Sequence, residues 1–251
     1  MFQIPSHIFR EYDIRGIADT ELTDETVILI AQAYGTWLAA RGVKHAALGG
    51  DARLSTKRIK TAAAAGLMKA GINVTDIGLC STPTFYWSLY RFEVNGGIMV
   101  TGSHNPKEFN GLKVAYEKST LWGNDIMEIY RIIKEERLLT ADIPGTFSSA
   151  DITAEYIQML IGKITLGKRR LKIVCDCGNG TGGIYAPAFL RGIGCQVTEL
   201  YSEPDGTFPN HHPDPTKREN LVKLIDTVIK EGADLGVGFD GDSDRIGVVD
   251  D

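Results

Sequence analysis

A chain of 251 residues can form one large domain or two ordinary ones, each able to bury a core. With 43% hydrophobic residues, 24% charged residues and a formal net charge of -5, it has the composition of a soluble globular protein. A mildly acidic chain is a poor nucleic-acid or anionic-membrane binder by bulk charge, so neither partner is expected and any anionic ligand must be held by a local positive site. No run approaches the roughly 18 apolar residues of a membrane span. Arg10, Glu11, Asp13 and Arg15 interrupt the first residues, and no secretory signal is visible. Cys80, Cys175, Cys177 and Cys195 are scattered, and Cys175-x-Cys177 lacks the second pair that zinc needs. Reduced thiols in a cytoplasmic protein are expected.

Taken in order, FREYDIRGI at 9–17 reads as a structured loop or short strand. Thr23 caps a helix with Asp24 and Glu25 in its first turn and Val27, Ala31, Tyr34 and Leu38 at helical spacing; Gly42 stops it. A strand follows from His45 to Gly50, then a helix capped by Ser55 and running to Gly71, then a strand from Ile72 to Ile77. Thr82-Pro83 opens a third helix, and Gly97 to Val100 is a third strand. The polar loop TGSHNPKEFNG leads to a strand from Leu112 to Tyr116 and a helix from about Asn124 to Arg137.

LTADIPGTFSSA at 139–150 loses periodicity and reads as a linker. Beyond it, Asp151 caps a helix, Lys172 to Asp176 is a strand, and a Gly-rich turn at 178–183 opens another helix. A strand from Gln196 to Leu200, a long loop and a helix from Glu219 to Lys230 come next. The chain then runs through strand 235–239, the loop DGDSDR and strand 246–249. This alternation predicts an α/β fold of two similar three-layer domains, 1–147 and 148–251, with mostly parallel mixed sheets. A faint repeat supports the pair: both halves end in strand, polar loop, strand.

Asp240-Gly-Asp242-Ser-Asp244-Arg245 carries the clearest chemistry. On extended backbone, carboxylates at i, i+2 and i+4 would point to one side, where their repulsion calls for a cation. Oxygen-only ligands select a hard ion, Mg²⁺ or Ca²⁺; the alternative is a solvated acidic turn. An EF-hand is a poor match, because Arg245 stands where its loop requires Gly. Ser103 sits beside Gly102 in a polar loop after an apolar strand. Its neighbour His104 is expected to diverge from it, so no hydrolase triad is implied. Arg15, Lys113 and Arg245 are cations in polar loops; each taken singly reads as a solvated surface charge, and together they could offset charge on a transferring phosphoryl group.

Two segments suggest other chemistries. Gly178-Asn-Gly180-Thr-Gly-Gly183 fits G-x-G-x-x-G, with Glu199 about 20 residues on, a dinucleotide-binding pattern. Asp176 and Cys177 separate its strand from the first Gly, which favours a tight structural turn. His211-His212-Pro-Asp-Pro reads as a rigid structural loop at a domain interface rather than a metal site.

FREYDIRG at 9–16, VTGSHNPKEFNGLKV at 100–114, VCDCGNGTGG at 174–183, PDGTFPNHHPDP at 204–215 and FDGDSDR at 239–245 together resemble the α-D-phosphohexomutases, in their phosphomannomutase/phosphoglucomutase branch. The resemblance runs along the whole chain. It implies that Ser103 carries a phosphoryl group and that Asp240, Asp242 and Asp244, with Ser103, bind Mg²⁺. It places Arg15, His104, Lys113 and Arg245 around the reacting hydroxyl, with Lys113, alone or together with Arg15, as the best candidate for handling the proton. An unperturbed Lys titrates at about 10.4, so positive neighbours would have to depress it before it served as a base.

The implied reaction interconverts hexose 6-phosphate and hexose 1-phosphate, of mannose or glucose, through a hexose 1,6-bisphosphate. Ser243 stands where the family often has Gly. The family has four domains and this sequence resembles the first two, so domains III and IV, with their sugar and phosphate grips, are expected to be missing partners and the chain to be little active alone. Three other readings stand beside this one. The chain could be a non-catalytic assembly module that self-associates through an exposed domain face. It could be a haloacid-dehalogenase-like phosphatase with Asp240 as nucleophile, although that motif expects Thr or Val at Asp244. It could also bind a dinucleotide.

Overall fold

The computed structural model describes residues 4–250; Met1–Gln3 and Asp251, the outermost residues of the two expected domains, lie outside the described residues. The chain divides into two units: one of Met1–Gly50, Leu54–Gly78 and Phe85–Asp151, the other of Asp51–Arg53, Leu79–Thr84 and Ile152–Asp251. The second therefore borrows two short stretches from the N-terminal half.

In the first unit, strand β1 (Ile14–Ile17) precedes helix α1 (Asp24–Ala39), strand β2 (His45–Gly50), helix α2 (Thr56–Lys69) and strand β3 (Asn73–Leu79). Helix α3 (Thr82–Arg91), of which residues 82–84 belong to the second unit, strands β4 (Gly96–Val100), β5 (Phe109–Tyr116) and β6 (Ser119–Thr120), helix α4 (Asn124–Lys134) and strand β7 (Phe147–Ser149) complete it. Thr23 caps α1 as its sequence suggests, its hydroxyl accepting from the Thr26 N–H at 3.3 Å. Val27, Ile30, Ala31, Tyr34 and Leu38 of α1 are fully buried, the face that a period of 3.6 predicts.

Ser55 stands at the N-cap of α2 without capping it; its hydroxyl instead accepts from Asn110 Nδ2 at 2.9 Å. The 139–150 stretch is more than a linker, because β7 within it pairs in parallel with β3. Three exposed residues carry no periodicity, and the strand exists because β3 offers it an edge.

The sheet runs β1-β5-β4-β2-β3-β7, with β6 on β5. Strands β2 and β4 are parallel, while β4 and β5, like β1 and β5, are antiparallel. From β2 the chain moves to β3 on one side and returns to β4 on the other. The C-terminal ends of β2 and β4 thus form a topological switch point, where α/β sheets open a crevice.

The second unit repeats this plan. Helix α5 (Thr153–Lys163) leads to strand β8 (Lys172–Asp176), helix α6 (Gly182–Gly192), strand β9 (Gln196–Leu200), helix α7 (Val222–Glu231) and strands β10 (Leu235–Phe239) and β11 (Ile246–Val249). Ile152, not Asp151, is the N-cap of α5, and no side chain caps it. The sheet order β11-β10-β8-β9 matches β5-β4-β2-β3 element for element, so the faint repeat in the sequence is a repeat of topology. Its switch point lies at the C-terminal ends of the parallel pair β8 and β10, in register at Asp176 and Gly238.

Candidate functional site

Each switch point carries one of the two singled-out loops. The first unit places 101–106 directly after β4. Ser103 is fully buried and holds a left-handed φ of 50°, a strained value for a residue with a Cβ. Its N–H donates to Thr101 Oγ1 at 2.8 Å, which holds the turn. His104 does not diverge as expected: its Nδ1 lies 3.3 Å from Ser103 Oγ.

Arg15 is not a solvated cation. It is 7% exposed, and its Nη1 donates to Gly102 O at 3.2 Å and to Asn105 Oδ1 at 2.8 Å, gripping the loop on both sides of Ser103. Its Nη2 is paired with the Asp13 carboxylate, which orients the guanidinium. Register explains how the cations share a face: Arg15 stands opposite Gly111, two residues from Lys113 along β5. Residues directly opposite, and those two apart, project to the same side, so Arg15 and Lys113 are diagonal neighbours. Gly111 between them has to lack a side chain, because a Cβ there would meet Ile14 O at 2.7 Å and Thr101 O at 3.0 Å.

The second unit places 240–245 directly after β10. Asp240, Asp242 and Asp244 each offer a carboxylate oxygen within 4.8 Å of the others. They converge through a turn rather than through the alternation of an extended strand. The Ser243 N–H donates to Asp240 O at 3.1 Å, Ser243 has a φ of 60°, and the Arg245 N–H donates to Asp240 Oδ1 at 3.1 Å. Asp240 and Asp242 are fully buried, whereas Asp244 and Arg245 are exposed, with Arg245 Nε 3.9 Å from Asp244 Oδ1. Two buried carboxylates and a third beside them, all hard oxygen donors, fit a divalent cation such as Mg²⁺ or Ca²⁺.

The Gly-rich turn has a role that its dinucleotide-like spacing hides: it buttresses this loop. A Cβ at Gly180 would meet Gly241 O at 2.8 Å, and the Thr181 N–H donates to Gly241 O at 3.1 Å. Thr181 Oγ1 lies 3.1 Å from Ser243 Oγ, and Glu199 is paired with Arg191 at 2.6 Å. Close packing of Gly180 on Gly241 thus gives this turn a structural reason to lack a side chain. His211 Nε2 lies 3.0 Å from Asp176 Oδ1 and its Nδ1 2.9 Å from His212 O. Burial pulls its pKa down, but the Asp176 carboxylate and the His212 carbonyl outweigh burial, and the net shift is upward.

Gly111, Asn105, Thr181 and Thr82 were not singled out as site residues from the sequence, Thr82 being read only as the start of a helix. Gly111 and Asn105 lie inside a motif and Thr181 inside the Gly-rich turn, but Thr82 meets its partner across 160 residues, which no local pattern signals. Among the described residues, no helix is long and apolar enough to cross a membrane.

The family model "Phosphoglucomutase/phosphomannomutase, alpha/beta/alpha domain I" matches residues 6–140, and the corresponding domain II model matches 154–251. A phosphoglucomutase of Neisseria meningitidis is 42% identical over 99% of this chain and 54% of its own length. A phosphomannomutase/phosphoglucomutase of Pseudomonas aeruginosa is 42% identical over 98% of this chain and 52% of its own. A crystal structure of a phosphoglucomutase/phosphomannomutase family protein from Burkholderia thailandensis superposes with a TM-score of 0.93 at 35% identity, covering 99% of this chain and 55% of that one. The chain spans about half the length of the curated relatives it matches.

Proposed function

We propose a function for this chain from one premise, that it belongs to the phosphoglucomutase/phosphomannomutase family. It supplies the phosphoryl-transfer groups of a mutase that interconverts hexose 6-phosphate and hexose 1-phosphate, of glucose or mannose. Residues 1–147 and 148–251 act as the first two domains of that enzyme. Supporting this reading most is a single pairing: one chain holds both a buried serine in a loop gripped by Arg15 and a loop with three converged carboxylates.

In this reading Ser103 Oγ carries the phosphoryl group. The P–O bond to Ser103 breaks as a new one forms to the free hydroxyl of the hexose monophosphate, giving the 1,6-bisphosphate. Lys113 accepts the hydroxyl proton, and His104, beside Ser103 Oγ, serves the serine end. After the sugar turns over, its other phosphate returns to Ser103. Arg15 and Arg245 offset the charge on the transferring group. Asp240, Asp242 and Asp244 are assigned as ligands of Mg²⁺. When bound, Mg²⁺ supplies a Lewis acid that balances charge on the phosphoryl oxygens. Cys80, Cys175, Cys177 and Cys195 are buried thiols outside any disulfide, which supports a reducing, cytoplasmic setting.

Positioning of reacting groups can account for about 7–11 kcal/mol of such a barrier, and binding of remote substrate groups maintains it. A coupled assay compares this chain alone with a mixture containing the remaining half of a longer relative. Turnover only on mixing, and its loss with Ser103→Ala, is the expected result. Robust turnover that survives Ser103→Ala would remove the serine-carrier reading.

A further inference from the structure

We infer that Thr82 is a positioning residue for divalent-cation binding, orienting the carboxylate of Asp242; the inference rests on the reading of the three-aspartate loop as a cation site. Thr82 belongs to the second unit, as Asp242 does. It begins α3 behind Ser81, whose hydroxyl accepts the Thr84 N–H at 3.2 Å and so caps the helix. As the first residue inside the cap, Thr82 has a backbone N–H with no partner in its own helix. That N–H donates to Asp242 O at 2.9 Å. The Thr82 hydroxyl donates to Asp242 Oδ2 at 2.7 Å. One residue therefore fixes both the main chain and the side chain of a single aspartate.

Both residues are buried, Thr82 at 2% exposure and Asp242 at 0%. An Asp carboxylate can rotate about its last bond. Anchoring Oδ2 with a short, charge-assisted hydrogen bond stops that rotation before any ion arrives. An acid already aimed gives up less freedom on coordination than one that must be ordered. Partners of this kind behind a coordinating carboxylate typically change metal affinity by about 10–100-fold. The hydroxyl is the operative group, because the backbone bond survives any substitution except Pro.

The alternative is that Thr82 only starts α3. The two roles separate when the hydroxyl is removed and then restored. Thr82→Val keeps the shape and removes the donor; Thr82→Ala removes the donor without any risk of crowding; Thr82→Ser keeps the donor. Binding of Mn²⁺ to the 251-residue chain, followed by the electron-spin resonance of the free ion, reads affinity without turnover. Circular dichroism reports that each variant is folded. The expected result is binding by wild type and Thr82→Ser, with affinity about 10–100-fold weaker in Thr82→Val and Thr82→Ala. Affinity unchanged in either hydroxyl-free variant that folds, or lost equally in Thr82→Ser, overturns the positioning role alone. Absence of saturable binding to wild type overturns the cation site and this inference with it.

Discussion

Arg15 shows how much one side chain does in the serine loop. Its guanidinium spans Gly102 O and the Asn105 side chain, so it sets the loop's shape as well as its charge. Arg15→Lys keeps the charge but cannot span both acceptors. We expect both Arg15→Lys and Arg15→Ala to slow phosphorylation of Ser103 by about 10²-fold or more, the scale for losing an oriented donor. Intact-mass kinetics with a hexose bisphosphate would measure this, and full activity in Arg15→Lys would show that charge alone suffices.

His211 gives a pH signature in the second unit. Its pKa is raised in the folded chain, so its contribution to stability is complete below the unfolded value of about 6.5 and is lost as pH rises through the folded value. Thermal midpoints of wild type and His211→Gln across a pH series should therefore draw together as pH rises. A constant gap would mean that His211 acts by packing and not by its charged bond to Asp176.

At the scale of elements, the two loops occupy equivalent places in a repeated topology. Strand β4 delivers the serine loop and β10 delivers the aspartate loop, each beside the switch strand of its sheet. The turn at 178–183 is the support of the second loop, and Gly180 is where contact is closest. A Cβ at Gly180→Ala would push on Gly241, at a cost of about 1–3 kcal/mol for overpacking. The Mg²⁺-dependent rise in melting temperature should shrink in this variant; an undiminished rise would mean that the loop tolerates the push.

Much of this was legible beforehand. Strands and helices showed themselves by period, and Asp240, Asp242 and Asp244 by spacing. What was not legible depended on distant partners. The Ser55 hydroxyl accepts from Asn110, β7 forms only on the edge of β3, and Arg15 is buried where β1 pairs with β5. The acids converge through a turn with a left-handed Ser243, which spacing alone misread as an extended strand.

At the scale of the whole molecule, two units of one topology carry different loops, a serine loop in one and an aspartate loop in the other. A fold of this kind positions loops at its switch points and leaves their chemistry to the residues placed there. Phosphoryl transfer to Ser103 is tested most directly by incubating the 251-residue chain with hexose 1,6-bisphosphate and Mg²⁺, then mapping the modified residue by mass spectrometry. The proposed mechanism predicts a single phosphoryl group on Ser103, absent in Ser103→Ala and strongly reduced when the ion is chelated. Phosphate mapped to Asp240, or labelling undiminished in Ser103→Ala, would contradict it.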